Sequence, residues 1–214
     1  MLDPPSTAAV LAVSLVAFGV SYLTIPPLSS WLKRRGIVGT DIHKLDKPKI
    51  PEMCGLAVIA GVTVAGLVSS TLFAGHSREI AAFLGTVLIA GAIGVIDDLR
   101  PLSPRLKPIL TAVAAAPILL LATYNPHPVF PLIGTLRLTI LYPFLILFAI
   151  AVPANAVNML DVFNGSMSGT LAIVSLALGV VLALSGNAVA TSLALALFGS
   201  LVAFYLFNRY PSRV

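Results

Sequence analysis

Apolar residues occupy seven long runs of this chain, and short polar segments separate them. The runs cover residues 7–28, 53–74, 80–96, 108–124, 138–160, 169–185 and 188–207. Each run is about as long as the 17–25 residues that cross a bilayer as an α-helix. Lipid leaves an open chain no other way to satisfy its backbone hydrogen bonds, so helices are expected. The pattern predicts an all-α, polytopic membrane helix bundle with about seven transmembrane helices.

The composition supports this interpretation and excludes an ordinary soluble enzyme. Hydrophobic residues make up 58% of the 214 residues and charged residues only 10%, whereas a soluble domain is about 25% charged. No long-period repeat, low-complexity tract or soluble segment interrupts the pattern. We therefore expect a single integral membrane domain over residues 1–214, surrounded by membrane lipid and without a nucleic-acid partner.

The basic residues predict the orientation in the membrane. With seven spans, residues 29–52, 97–107, 161–168 and 208–214 fall on one side, and they hold eleven of the thirteen Lys and Arg residues. Basic loops face the cytoplasm, so the N-terminus is expected outside and the C-terminus in the cytoplasm. Six of the eight acids lie on the same side. This coincidence indicates a site at the cytoplasmic face of the cell membrane that handles charged groups.

The stretch "GVIDDLRPLSPRLKP" closes the third run with two adjacent acids, Asp97 and Asp98, followed by three bases. Adjacent residues on a helix diverge by about 100°, so the two carboxylates are expected to do separate work. One can face a substrate while the other holds a metal or a neighbouring base. The alternative is a solvated loop that only ends a helix. Charged groups at membrane depth are usually functional, which favours a site.

The stretch "NAVNMLDVFNG" places a polar residue at every third position, namely Asn155, Asn158, Asp161 and Asn164. Each three-residue step turns the side chain by about 60° on a helix, so the first and last would point to opposite sides. Either the helix loosens near Gly165, or the inner pair forms the core of a site. Amide and carboxylate oxygens suit Mg²⁺ or Mn²⁺ and hydrogen bonds to a sugar or base. Helix capping would explain one or two of the four.

The first cytoplasmic loop, "TDIHKLDKPKIPEMCG", is dense in charge, with Lys44 and Glu52 among its three lysines and three acids. Basic residues next to a membrane also attract anionic lipid, which is the simpler explanation of this loop alone. Taken together, the acids and amides can hold a divalent metal, and bases surround them. That combination suits phosphoryl transfer, and a substrate with a phosphate head and a lipid tail would fit the boundary.

These motifs resemble those of the polyprenyl-phosphate N-acetylhexosamine-1-phosphate transferases, of the glycosyltransferase family 4 type. "GVIDDLRPLSPRLK" is similar to the family's paired-aspartate motif, with Lys107 nine positions after the second acid. "NAVNMLDVFNG" is similar to the family's N-x-x-N-x-x-D-G-x-(D/N)-G motif. "DIHKLDKPKIPEMCG" and "FNRYPSRV" look most like the archaeal and eukaryotic dolichyl-phosphate branch. The resemblance covers the whole chain, and all four motifs occur in order.

The resemblance implies an activity and a cofactor. N-acetylglucosamine 1-phosphate would pass from UDP-N-acetylglucosamine to a polyprenyl (dolichyl) phosphate, with release of UMP and dependence on Mg²⁺, or Mn²⁺ as the alternative. This is the first step of lipid-linked glycan assembly. By the resemblance, Asp97 would contact or deprotonate the lipid phosphate and Asp98 would support it, while Lys107 would bind nucleotide phosphate. Direct attack and a covalent aspartyl intermediate both stay open.

The "NAVNMLDVFNG" motif and the first cytoplasmic loop would supply the remaining roles that the resemblance implies. Asn158 would ligate or orient the Mg²⁺ ion, with Asp161 in the same polar cluster at the substrate. Asn164 would face the uracil. Glu52 and its surrounding loop, including Lys44, would line the nucleotide pocket.

The chain also departs from the family pattern. Val162 and Ser166 replace a common Gly and Leu, and no Gly-Asp turn with the family's metal-binding aspartate precedes Val214. A later loop rich in His or Arg is missing as well, and family members have about ten spans. We therefore expect the N-terminal part of a transferase or a truncated copy, which alone would be inactive or would need a partner.

Two other classes of protein compete with this interpretation. A transporter or channel subunit would place charges near the middle of the membrane, whereas here they collect at one boundary. A noncatalytic paralogue would bind a UDP-sugar without turnover. Small residues along several runs leave a homodimer open, because such faces pack within bundles as well as between them.

Overall fold

The computed structural model describes residues 2–40, 49–130, 132–160 and 163–214. Within these ranges the chain forms eight α-helices: α1 (Pro4–Arg34), α2 (Leu56–Leu72), α3 (Ser77–Leu99), α4 (Leu106–Val113), α5 (Ala116–Leu120), α6 (Leu141–Leu160), α7 (Ser166–Leu184) and α8 (Ala188–Asn208). A short 3₁₀ turn, Ala74–His76, precedes α3. Two small antiparallel hairpins pair β1 (Val38–Thr40) with β2 (Lys49–Pro51) and β3 (Val129–Phe130) with β4 (Gly134–Thr135).

Every predicted apolar run contains helix, and the prediction of a multi-pass helical membrane protein is confirmed. Five segments in the described ranges are long and apolar enough to cross a membrane: Ser6–Arg34, Ala74–Leu99, Leu141–Leu160, Ser166–Leu184 and Ala188–Asn208. The second run forms the shorter α2, and the fourth run forms α4 and α5. The count of seven spans stays a prediction.

The fourth run differs from the single helix expected over residues 108–124. The amides of Ala114 and Ala115 donate to carbonyls three residues back, those of Thr111 and Ala112, and the next helix starts only at Ala116. Pro117 has no N–H and cannot donate to the carbonyl four residues before it. The helix therefore tightens and ends before this proline, which then occupies the start of α5, where a missing donor costs nothing.

The structure divides into two compact units. The first comprises residues 1–80 and 160–214, in which α1, α2, α7 and α8 pack together and α8 contacts the other three. Small polar side chains make the close contacts: Ser14 donates to the Leu195 carbonyl at 2.8 Å, and the Ser69 and Ser192 hydroxyls share a hydrogen bond of 2.8 Å. Small residues allow helix backbones to approach closely in membranes, so this unit is a tightly packed bundle.

The second unit comprises residues 81–159. It contains most of α3, all of α4 and α5, the β3–β4 hairpin, and α6 up to its last residue. The rings of Tyr124 and Tyr142 stack with centroids 5.7 Å apart, which ties the segment after α5 to the start of α6. The single integral membrane domain expected over residues 1–214 stays a prediction.

Candidate functional site

The junction between α3 and α4 brings an acid and a base of the first motif together. Asp97 lies in the last turn of α3 and Lys107 in the first turn of α4. The Lys107 Nζ atom lies 2.5 Å from Asp97 Oδ2, and the side chains are 22% and 16% exposed. The other carboxylate oxygen of Asp97 accepts a hydrogen bond of 2.9 Å from the Leu102 amide. The Asp97 carboxylate therefore contacts both Lys107 and the loop between α3 and α4.

Helix electrostatics explain why this pair forms. The C-terminus of a helix carries partial negative charge and the N-terminus partial positive charge. Asp97 therefore lies at the unfavourable end of α3, and Lys107 lies at the unfavourable end of α4. Pairing the two side chains offsets both penalties, and the partly buried position makes their attraction stronger than that of an exposed pair.

The two adjacent acids have different surroundings. Asp97 is half-buried and pairs with Lys107, and Asp98 is exposed at the end of the same helix. This is the divergence expected of neighbours on a helix. The two carboxylates therefore lie in different surroundings at the end of α3.

A second polar contact joins the two motifs within this unit. The Asn155 side-chain amide on α6 donates to the Thr111 hydroxyl on α4 at 2.9 Å and to the Ala151 carbonyl at 2.7 Å. The Thr111 hydroxyl also lies 3.0 Å from the carbonyl oxygen of Lys107. Sequence reasoning missed Thr111; the only signal is its position four residues after Lys107, on the same helix face.

Asn158 lies one turn after Asn155 on α6 and is exposed. The structure thus places Asn158 in the same compact unit as Asp97, Asp98 and Lys107. Asn155 and Asn158 lie about 60° apart around the axis of α6. Asn155 makes an internal contact, whereas the Asn158 side chain is exposed.

The remaining site residues fall in the first unit or outside the described residues. Glu52 follows β2; its amide donates to the Ile37 carbonyl, and its carboxylate lies against Gly39 so closely that a Cβ there would collide with it. Asn164 is half-buried in the turn before α7. Lys44 and Asp161 lie outside the described residues, as does Val162.

The turn after Asn164 is held by the last motif of the chain. Gly165 has φ +82°, a left-handed conformation that glycine adopts without strain. Its amide donates to the Asn208 side-chain oxygen at 3.0 Å, and the Ser168 hydroxyl donates to the same oxygen at 3.1 Å. Sequence reasoning did not single out Asn208, although an amide side chain at the end of the last apolar run was a visible signal.

The predicted site residues offer oxygen donors, which are the ligands that Mg²⁺ prefers. Among residues 2–40, 49–130, 132–160 and 163–214, no three His, Cys, Asp or Glu side chains cluster as a complete metal cage. Mg²⁺ rarely needs one, because one or two protein oxygens, waters and substrate phosphates complete its shell. The Asp98 carboxylate and the Asn158 amide oxygen, both exposed in the second unit, are oxygen donors of that type.

A cavity of about 460 Å³ lies in the first unit, near the end of α1. The cations Lys33, Lys49 and Arg213 line it together with apolar groups such as Ile25 and Phe207. None of the predicted site residues that the structure describes lines this cavity. The candidate site is therefore defined by the contacts of the polar motifs and not by this cavity.

Comparison with known proteins identifies the class to which these features belong. The family model described as glycosyl transferase family 4 matches residues 80–214, which include both polar motifs. The chain therefore belongs to glycosyl transferase family 4.

Individual relatives agree with this assignment. A Saccharolobus solfataricus protein is 33% identical over 96% of this chain and 65% of its own length; it carries the provisional name UDP-N-acetylglucosamine–dolichyl-phosphate N-acetylglucosaminephosphotransferase. A Bacillus subtilis protein is 30% identical over 94% of this chain and 57% of its own length; its provisional name is undecaprenyl-phosphate N-acetylglucosaminyl 1-phosphate transferase. The phospho-N-acetylmuramoyl-pentapeptide-transferase of Streptococcus pyogenes is 28% identical over 95% of this chain and 66% of its own length. The chain thus spans less than two thirds of the length of each of these relatives.

Proposed function

We propose that this protein transfers N-acetylglucosamine 1-phosphate from UDP-N-acetylglucosamine to a polyprenyl phosphate, dolichyl phosphate being the lipid, and releases UMP. The names of the relatives support the donor and the acceptor. The observation that carries the proposal is the ion pair between Asp97 and Lys107 at the junction of two helices. It puts a carboxylate and an ammonium group side by side within the family's matched region.

The ion pair suits a reaction between two phosphates. An ammonium group has three N–H donors, so Lys107 can keep Asp97 and still bind a nucleotide phosphate oxygen. The lipid phosphate then approaches the carboxylate side of the pair. In this arrangement Asp97 contacts the lipid phosphate, accepts its remaining proton where it carries one, and orients its oxygen. The two reactants meet over one pair of side chains, which is the positioning that phosphoryl transfer requires.

The reaction forms one bond and breaks one. An oxygen of the lipid phosphate attacks the β-phosphorus of the UDP-sugar, and the bond from that phosphorus to the bridging oxygen breaks. The bridging oxygen keeps the electron pair and leaves as part of UMP. Lys107 neutralises charge on the phosphates as the leaving group departs.

The other predicted residues keep in this proposal the roles that the family resemblance implies. Asp98 would support Asp97, and Asn158 would ligate or orient Mg²⁺, which when bound neutralises phosphate charge. Asn164 would face the uracil, Asp161 would lie in the same cluster, and Glu52 with the loop that contains Lys44 would line the nucleotide pocket.

A direct test mixes the purified protein with UDP-N-acetylglucosamine, dolichyl phosphate and MgCl₂ and measures UMP. UMP is expected only when donor, lipid and metal are all present. Asn158→Ala is expected to lower the rate by about a hundredfold or more, because it removes a proposed ligand of the Mg²⁺ ion that neutralises phosphate charge. Undecaprenyl phosphate in a parallel reaction reports the lipid preference. Binding of the UDP-sugar without any UMP would support the noncatalytic alternative and contradict the proposal.

We also propose the membrane arrangement in which seven helical segments cross the cell membrane, with α2 as the second and α4 and α5 as the fourth. The N-terminus lies outside, and Asp97, Lys107 and Asn158 lie at the cytoplasmic face. The support is the distribution of charge, because eleven of the thirteen basic residues fall on that side.

Cysteine labelling at the two ends of α3 tests this orientation. Ser77→Cys and Ser103→Cys each place a thiol at an exposed position. The native Cys54 thiol is buried, so a water-borne reagent reaches it poorly and its background labelling is low. In intact cells a membrane-impermeant maleimide is expected to label Ser77→Cys and to leave Ser103→Cys unlabelled until the membrane is opened. The reverse pattern would contradict the orientation.

A further inference from the structure

We propose that Thr111 and Asn155 are positioning residues that fix the Lys107 ammonium group relative to Asn158; this inference rests on the proposed function. The observation is a continuous path of polar contacts through three helices of the second unit. Asp97 on α3 pairs with Lys107 on α4, the Lys107 carbonyl faces the Thr111 hydroxyl, and that hydroxyl accepts from Asn155 on α6.

The Asn155 side chain is held in one orientation by its two donors. Its amide nitrogen lies 2.7 Å from the Ala151 carbonyl oxygen of its own helix and 2.9 Å from the Thr111 hydroxyl oxygen of α4. A primary amide has two N–H groups, so these contacts account for both. The side chain cannot rotate without breaking one contact, and it therefore works as a fixed link between α6 and α4.

Thr111 transmits this link to the turn that carries Lys107. Its hydroxyl oxygen lies 3.0 Å from each of the Lys107 and Pro108 carbonyl oxygens, to which the single hydroxyl proton is donated. The oxygen thus receives a bond from α6 and gives one to the first turn of α4. The side chain is half-buried, where a polar contact is stronger than at the surface.

The short length of α4 makes this link important. α4 has eight residues, and a helix below about 12 residues is marginal on its own, so contacts with other elements decide its position. Asp97 holds the Lys107 side chain, and Asn155 holds the helix face one turn away. Removing the second contact takes away a hydrogen bond that fixes α4 against α6.

The consequence reaches the proposed metal ligand. Asn158 follows Asn155 by three residues on the same helix. The contact between Asn155 and Thr111 therefore fixes how far the phosphate-binding ammonium group lies from the amide that would hold the metal. A nucleotide diphosphate that bridges the two needs that distance to be constant, and misplacement by about 1 Å can cost a hundredfold in rate.

The test compares Thr111→Val, which keeps the shape and removes the hydroxyl, with Thr111→Ser, which keeps the hydroxyl. The matched control is Thr86→Val, because the buried Thr86 hydroxyl on α3 makes no hydrogen bond in the described structure. Thr111→Val is expected to raise the KM and the dissociation constant for UDP-N-acetylglucosamine by about tenfold, consistent with loss of a hydrogen bond that positions a charge. Thr111→Ser and Thr86→Val are expected to stay within about twofold of wild type, the usual effect of a substitution that removes no contact.

A double-mutant cycle shows whether Thr111 acts through Lys107. In the Lys107→Ala background, where calorimetry can follow UDP-N-acetylglucosamine binding, Thr111→Val is expected to add no further loss, because two residues that act through one contact are not additive. A purely structural role would predict the same loss in both backgrounds and would overturn the proposal. Asn155→Ala provides the second variant and is expected to match Thr111→Val, including in the Lys107→Ala background.

The outcomes separate this inference from the proposed function. If wild type and Thr86→Val release UMP and Thr111→Val and Asn155→Ala equal them in KM, the positioning role is wrong and the proposed function stands. If the wild-type protein neither binds UDP-N-acetylglucosamine nor releases UMP, the proposed function fails and the positioning role falls with it.

Discussion

Replacing Asp97 by asparagine is expected to abolish transfer while the protein stays folded. The amide side chain keeps the shape of the carboxylate and an oxygen that can accept from the Leu102 amide, so the junction between α3 and α4 should survive. The negative charge that pairs with Lys107 at 2.5 Å is lost. In the proposed reaction this charge contacts the lipid phosphate, and removing such a group typically costs 10²–10⁴-fold, so we expect a loss of about a thousandfold.

The control for this substitution lies at the other end of the same helix. Glu79 is exposed in the first turn of α3, so Glu79→Gln changes the net charge by the same amount without touching the motif. UMP release by Glu79→Gln is expected to equal that of wild type, and the melting temperatures of all three proteins in detergent should agree within a few degrees. Retained transfer by Asp97→Asn would remove Asp97 from the mechanism.

Replacing Gly199 by alanine is expected to be strongly destabilising. Gly199 lies in α8, where an added Cβ would collide with the backbone carbonyl of Ser14 in α1 and would come within 3.3 Å of the Phe18 amide. A backbone atom cannot rotate away, so the two helices must separate. Overpacking of this kind typically costs about 1–3 kcal/mol, and we expect the upper end of that range because α8 packs on three helices.

Gly19 in α1 provides the matched control, because nothing lies within 4 Å of a Cβ built there. Gly19→Ala is expected to be neutral or to stabilise the helix by up to about 1 kcal/mol. Thermal unfolding of both variants in the same detergent measures the difference. Equal melting temperatures would contradict the close packing of α1 against α8.

The helices could be predicted from the sequence because hydrophobic length is enough to define them in lipid. The break in the fourth run could not be placed, because prolines are tolerated in membrane helices when neighbours satisfy the freed carbonyls. Pro153, for example, lies inside α6, whereas the helix ends before Pro117. Local sequence does not distinguish these two cases, since the difference depends on what packs beside each turn.

The sequence predicts that the polar motifs form a candidate site, but it does not predict the contacts within them. The spacing of Asp97 and Lys107 is compatible with an acid and a base that lie close together. The resemblance, however, implies that Lys107 binds a nucleotide phosphate, and no ion pair with Asp97 was predicted. Thr111 is an ordinary residue in an apolar run, and only the fold brings Asn155 to it. A residue that only positions another side chain need not belong to a recognisable sequence motif, so the tertiary structure is needed to find it.

The measurement that tests the central claim most directly follows a radiolabel on the β-phosphate of UDP-N-acetylglucosamine. The proposed reaction breaks the bond between this phosphorus and the bridging oxygen, so the label should move into the lipid fraction together with the sugar, in amounts equal to the UMP released. Label that stays in the water-soluble nucleotide as UDP while the sugar moves to the lipid would show transfer of the sugar alone. That result would contradict the account, because neither the paired charges of Asp97 and Lys107 nor the metal donors would then serve phosphoryl transfer.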